Sequence, residues 1–298
     1  MITKYDNSIN SYNFLGLPAD YSNENSRVVV LSVPFEGTVS YGKGTKDGPA
    51  AIIRASKEVE LFDEEIWAET YEVGIRTEPP ISVSTEPEKN VILLEKETIK
   101  YLQKGKFVVV LGGEHSITTG AVKAYAQKYK NLSVLQFDAH ADLRDEYEGT
   151  KFSHACVMRR VVDICPIVQV GIRNISAEEV EFIEKIKHKN IFFAHKLRND
   201  KNWIKRVVDS LSENVFVTID VDVFDSSIMP STGTPEPGGL SWYDVTDCIR
   251  SVAKSRKIVG FDVVELAPQK TNHGCDFLTA KLVYRVIGYA LQNELKSK

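Results

Sequence analysis

Three stretches of the 298-residue sequence gather side chains able to hold metal ions. The first is Gly112-Gly113-Glu114-His115-Ser116, at the end of the apolar run 107–111. Its two glycines let the backbone turn and approach other groups closely, which puts His115 at a strand end. The second is Asp138-Ala139-His140-Ala141-Asp142, which follows Ser133-Val134-Leu135-Gln136-Phe137. Alternate positions of an extended chain face the same way, so Asp138, His140 and Asp142 project together. The third is Asp220-Val221-Asp222, at the end of another apolar run. Two carboxylates emerging from a buried strand are costly without a counter-charge, and a cation supplies one. Pooled, His115, Asp138, His140, Asp142, Asp220 and Asp222 offer two imidazoles, four carboxylates and no thiolate. That set suits a hard or borderline divalent ion, Mn2+ above all. Six ligands are too many for one tetrahedral zinc and suit two metals about 3.5–4 Å apart, as in two-metal hydrolytic sites. Taken alone, His115 reads equally well as a hydrogen-bonded structural histidine.

Two further residues fit a substrate beside such a centre. His154, in Lys151-Phe152-Ser153-His154, has no partner at metal-ligand spacing. A free histidine there is either a proton shuttle or an ordinary surface-loop residue. Glu265 ends the apolar run 258–264. It can pair bidentately with a planar cation such as guanidinium, or form a structural ion pair. Asp225, followed by Ser226 and Ser227, reads as a turn former. His188, His195 and His273 lie outside these clusters and carry no assigned role; His188 reads as part of an exposed helical segment.

The elements that must position these residues are short β-branched runs alternating with amphipathic stretches. Strands are expected at 27–33, 71–75, 107–111, 133–138, 167–171, 190–194, 215–222 and 258–264. Helices are expected at 50–61, 89–104, 117–129, 177–187, 203–211, 242–255 and 278–295. Several strands are apolar throughout, as parallel strands covered on both faces are. The alternation predicts a doubly wound α/β sheet. Ligands of open α/β sheets bind beyond the carboxyl ends of the strands, where the three clusters fall. The acidic stretch 58–69 reads as a solvated helix face.

Composition excludes several classes. Hydrophobic residues make up 43% and charged residues 26%, the balance of a globular protein rather than a disordered or collagen-like one. The net charge of −4 provides no basic field for a nucleic acid. No apolar run reaches the roughly 18–20 residues of a membrane span, and the polar N-terminus lacks a secretion-signal layout. Four irregularly spaced cysteines without a CxxC pair fit reduced thiols in the cytoplasm. With no repeat and no Pro/Gly/Ser linker, a single domain over 1–298 is expected.

The order GGEHS, DAHAD, Ser-His, DVDVFD, STGTPEPGG and FDVVELAP resembles that of the ureohydrolases, the family of arginase and agmatinase. Residues 33–56, Val-Pro-Phe-Glu-Gly-Thr through Ala-Ser, also look like that family's opening strand, loop and helix. The resemblance implies a three-layer α/β/α domain with a mainly parallel eight-stranded sheet. It implies two Mn2+ per chain, one bound by His115, Asp138, Asp142 and Asp220, the other by Asp138, His140, Asp220 and Asp222. His154 matches the family's acid/base histidine, Asp142 a carboxylate that orients the attacking water, Glu265 the guanidinium-binding glutamate, and Thr234 an active-site loop threonine. The implied reaction is hydrolysis of a small guanidino compound to urea and an amine, in a homo-oligomer, trimer or hexamer. Ser226-Ser227 and Ser231 depart from the family's usual loops without touching a ligand.

Within that family, the loop after Asp142 bears on the substrate. Arg144 stands where arginases carry an asparagine, and no Ser-Gly-Asn run precedes His154. Asp145, Glu146 and Glu148 make the loop acidic, which favours a cationic amine tail, as in agmatine. Arginine, guanidinobutyrate, formimidoylglutamate and aminopropylagmatine are the alternative substrates. A non-catalytic binding member of the fold would be expected to have lost a ligand, and a related one-metal zinc deacetylase would carry a histidine pair instead.

Overall fold

The structure, a computed structural model, describes residues 12–296. The N-terminal segment 1–11, most of the stretch read above as lacking a secretion signal, lies outside the described residues. In chain order the elements begin with β1 (Val28–Val33), α1 (Gly48–Ser56), β2 (Phe62–Asp63), β3 (Ala68–Glu69), β4 (Ile75–Thr77), α2 (Pro87–Gln103) and β5 (Phe107–Gly112). They continue with α3 (Thr118–Lys128), β6 (Leu132–Phe137), α4 (Val157–Val161), β7 (Ile167–Ile172), α5 (Ala177–Ile186), β8 (Ile191–Phe193) and α6 (Ala194–Leu197). The last are α7 (Trp203–Asp209), β9 (Asn214–Asp220), α8 (Trp242–Ser255), β10 (Lys257–Val264) and α9 (Gly274–Lys296).

Eight strands form one sheet in the order β4-β1-β5-β10-β9-β6-β7-β8, and every pairing in it is parallel. Alternation along each strand supplies two cores. Val28 and Val30 face α1, α8 and α9, where Ile52, Ile249 and Val286 pack. Val29 and Leu31 face α2, α3 and α4, where Leu94, Val122 and Met158 pack. Two apolar faces per strand are why the runs read as continuous. The result is the expected three-layer α/β/α sandwich. Two of the helices start at side-chain caps: Ser176 with Glu179, and Ser241 with Asp244, form capping boxes at α5 and α8.

Three expectations are corrected. The strand expected at 71–75 shares only Ile75 with β4. Thr70–Val73 forms a 3-10 turn instead, because the Tyr71 N–H is taken by the Tyr284 hydroxyl at 3.1 Å and Gly74 leaves the extended line at φ 77°. The acidic stretch 58–69 is no helix face. α1 stops at Ser56, and β2 and β3 pair as a small antiparallel hairpin. On it the buried Asp63 lies 3.1 Å from the buried Arg285 of α9, whose guanidinium also reaches Glu64 (2.6 Å) and Glu65. Three of the acids in the stretch, Asp63, Glu64 and Glu65, are partners of one interior arginine. His188, for its part, sits half-buried just beyond α5 rather than on an exposed helix.

Candidate active site

The four central strands β5, β10, β9 and β6 are neighbours, and their carboxyl ends open on the same side because the sheet is parallel. GGEHS follows β5, DAHAD follows β6, Asp220 and Asp222 end and follow β9, and Glu265 follows β10. Topology therefore brings together clusters up to 150 residues apart in sequence. The glycines act by close approach: a Cβ at Gly113 would lie 1.9 Å from the Phe35 carbonyl oxygen. Asp142 and Glu265 adopt φ of 54° and 66°, so neither continues an extended run. Local strain of this kind is held in place by surrounding structure and gathers at functional sites.

Asp138 is fully buried and lies 3.1 Å from His115 Nδ1, with Asp142 at 3.2 Å and Asp220 at 3.4 Å. His140 Nδ1 lies 2.9 Å from Asp222 and 3.5 Å from Asp138. Two groups of potential ligands result, His115/Asp138/Asp220 and Asp138/His140/Asp222, sharing Asp138. The carboxylates are themselves held: Asp138 accepts from Gln136 Nε2 (2.7 Å) and the His140 N–H (2.6 Å). Asp222 accepts from the Ala139 N–H, and Asp220 from the Asp222 N–H, both at 2.9 Å.

This donor set fits a cation. His115 Nε2 pairs with Thr218 Oγ1 at 2.8 Å, whereas its buried Nδ1 has no hydrogen-bond partner and faces three carboxylates. With both rings protonated, four carboxylates would still leave net negative charge in a desolvated site, which a bound cation removes. The proton affinities express the same crowding. Burial, and then the neighbouring Asp138 charge, push Asp142 up to about 7. Burial, Asp222 and Asp138 push Asp220 well above the usual carboxylate range. Burial alone would lower His115, but the facing carboxylates raise it well above the usual histidine value.

His154, Thr234 and Glu265 line the same cleft as His115, His140, Asp142, Asp220 and Asp222. Glu265 Oε1 accepts the His115 N–H at 2.7 Å. Among the described residues it has no ion-pair partner, which removes the structural ion-pair alternative. His154 Nδ1 lies 3.2 Å from Thr38 Oγ1, and burial lowers the affinity of its ring for a proton. Asp225 does order its turn, accepting from Ser227 N–H and hydroxyl and from the N–H groups of Gly238 and Gly239. Beyond the cleft lies a cavity of about 180 Å3, with Arg144, Tyr147, Asn174 and Glu179 in its walls. Arg144 lies 3.8 Å from Glu178, and Asp145 is engaged by Arg160, Lys151 and Arg159. The acidic loop is thus partly neutralised by its own neighbours. Sequence reasoning gave no role to Glu114 or Thr38, although both lie in motifs it singled out.

Fold and site together define a hydrolase of the arginase-like α/β/α class. The sequence model of the arginase family matches residues 26–289, and the chain belongs to that family as one of its ureohydrolases. It is 38% identical to the N(1)-aminopropylagmatine ureohydrolase of Synechocystis over 95% of each chain. It is 35% identical to the agmatinase of Pyrococcus horikoshii over 87% of this chain and 90% of that one. The agmatine ureohydrolase structure of Thermoplasma volcanium superposes with a TM-score of 0.86 at 32% identity, covering 94% of this chain and 96% of that one.

Proposed function

We propose that this ureohydrolase cleaves agmatine to putrescine and urea. The observation that carries the reading is that Glu265, His154 and five of the six candidate ligands, all but the buried Asp138, face one cleft, which continues into a cavity for a substrate tail. In this reading His115, Asp138, Asp142 and Asp220 hold one Mn2+, and Asp138, His140, Asp220 and Asp222 hold a second. When bound, the metal pair supplies hydroxide near neutral pH. The Glu265 carboxylate holds the guanidinium at the cleft and makes the attack a positioned one. Asp142 accepts a hydrogen bond from the attacking oxygen and passes its proton to the departing amine. His154 exchanges protons with solvent, and Thr234 closes the cleft beside the tail. Four free cysteines fit a cytoplasmic setting, no helix among the described residues is long and apolar enough to cross a membrane, and a single domain and a homo-oligomer follow the family pattern.

The 180 Å3 cavity and the name of the Synechocystis relative favour a second reading, in which the tail is the longer aminopropylagmatine. Urea release from agmatine, aminopropylagmatine, arginine and 4-guanidinobutyrate, with Mn2+ added, separates the readings. We expect kcat/KM for agmatine to exceed that for arginine at least ~10-fold, about 1.4 kcal/mol in the transition state. A preference for arginine or guanidinobutyrate would overturn the cationic-tail assignment.

A further inference from the structure

Glu114 is a fully buried carboxylate with no cationic partner among the described residues. It is saturated by donors instead. Oε2 accepts the Gly37 N–H at 2.6 Å and the Thr38 N–H at 2.7 Å. Oε1 accepts the hydroxyls of Thr38 and Ser116, both at 2.6 Å. A hydroxyl carries one proton, so Thr38 Oγ1, having donated to a carboxylate, can only accept elsewhere. It accepts the His154 N–H at 3.0 Å and faces His154 Nδ1 at 3.2 Å. Ser153 Oγ lies 3.3 Å from the same nitrogen; it accepts the Ala155 N–H and keeps one lone pair and its own proton for Nδ1. A bare Nδ1 could take the Ser153 proton, but its lone pair would also face that of Thr38 at 3.2 Å, whereas an Nδ1–H is accepted by both oxygens. The pairing therefore favours the ring proton on Nδ1. Nε2 is then the ring's lone-pair nitrogen, with no protein partner among the described residues.

We propose that Glu114 and Thr38 are positioning residues that fix the tautomer of His154, keeping its proton on Nδ1 and leaving Nε2 as the atom that exchanges protons in the cleft. The proposal rests on the acid/base role given to His154 above. It assigns work to the glutamate of GGEHS beyond folding the loop, because a carboxylate accepts from Thr38 and an amide need not. In Glu114→Gln the amide oxygen must take the two backbone N–H groups. The amide nitrogen then donates to Thr38, turns the hydroxyl proton toward His154 Nδ1, and moves the ring proton to Nε2. An acid/base histidine held in the wrong tautomer loses turnover rather than binding.

The experiment reads the tautomer directly, by nitrogen chemical shifts of 15N-histidine-labelled protein loaded with diamagnetic Mg2+. We expect the Nδ1–H form in the unsubstituted protein and in Thr38→Ser, the Nε2–H form in Glu114→Gln, and a mixture in Thr38→Val. In Mn2+-loaded protein, Thr38→Val should lower kcat about 10- to 100-fold, a partial loss of the roughly 10²–10⁴-fold that a positioned acid/base group contributes. KM and metal content should change less than about 2-fold, and Thr38→Ser should restore turnover. In a His154→Ala background Thr38→Val should cost almost nothing further, since residues acting as a unit are not additive. An unchanged tautomer in both Glu114→Gln and Thr38→Val overturns the relay, as does an equal kcat loss with and without His154. The tautomer needs no turnover, so it decides the relay even if the unsubstituted protein releases no urea. That last result would instead sink the proposed reaction.

Discussion

Asp138 belongs to both groups of potential ligands, is fully buried, and spends its remaining lone pairs on Gln136 and the His140 N–H. Removing it deletes a donor from both groups, whereas removing His154 deletes none. We therefore expect Asp138→Ala, purified after Mn2+ loading, to retain little metal and no turnover. His154→Ala should keep its full metal content while turnover falls by about 10²-fold or more. Metal analysis of the two variants side by side checks the division of roles; metal loss in His154→Ala would refute it. The candidate ligands were legible in sequence as a set, because Asp and His at the ends of several apolar runs together have few bland explanations. Their approach was legible only in part. Alternation along an extended chain explains Asp138 and His140, but Asp142 joins them through a residue at positive φ, which no spacing rule foretells. Glu114 stayed silent for another reason: its partner Thr38 is 76 residues away and His154 a further step beyond, so nothing local marks it.

Elements were legible where periodicity was strong, as in the apolar strands and in α8, whose expected range Trp242–Ser255 is the observed one. They failed where a tertiary partner decides. The 62–69 hairpin has the composition of a solvated surface, and the buried Arg285 on α9, over 200 residues away, is the partner that accounts for the buried Asp63 and draws in Glu64 and Glu65. Removing one member of a buried charge cluster leaves the others unpaired, which costs about 3–5 kcal/mol. Arg285→Met should lose stability of that order in urea unfolding, with Asp63 left buried and charged; a loss under ~1 kcal/mol would mean that water reaches the hairpin. The same cluster has a pH signature. Its hydrogen bond to Arg285 holds Glu64 down at about 2, below the 4.5 of a free glutamate. A depressed carboxylate contributes stability that is present above its unfolded value and lost as pH falls toward the folded one. The acid loss between pH 4.5 and 2 should therefore be shallower in Arg285→Met than in the unsubstituted protein.

At the scale of the molecule, the sheet is what makes a site of these residues. Its central strands leave the N- and C-terminal halves of the sequence interleaved: β10 lies between β5 and β9, and β9 between β10 and β6. The candidate ligands span His115 to Asp222, so an unfolded chain has no way to present them together. A metal that binds the folded state and not the unfolded one stabilises by mass action, by about 2.7 kcal/mol when its free concentration is 100 times Kd. Stability and catalysis should therefore share one dependence on metal. We expect a chelator to lower Tm by several degrees, and graded Mn2+ to restore Tm and turnover over the same concentration range. His154→Ala should show the full Tm response with little turnover, and Asp138→Ala should show neither. A Tm indifferent to chelator in protein that analysis shows to have lost its metal would mean that the four strand ends are already held at their full stability by protein contacts alone, and the cation would then add chemistry without adding fold.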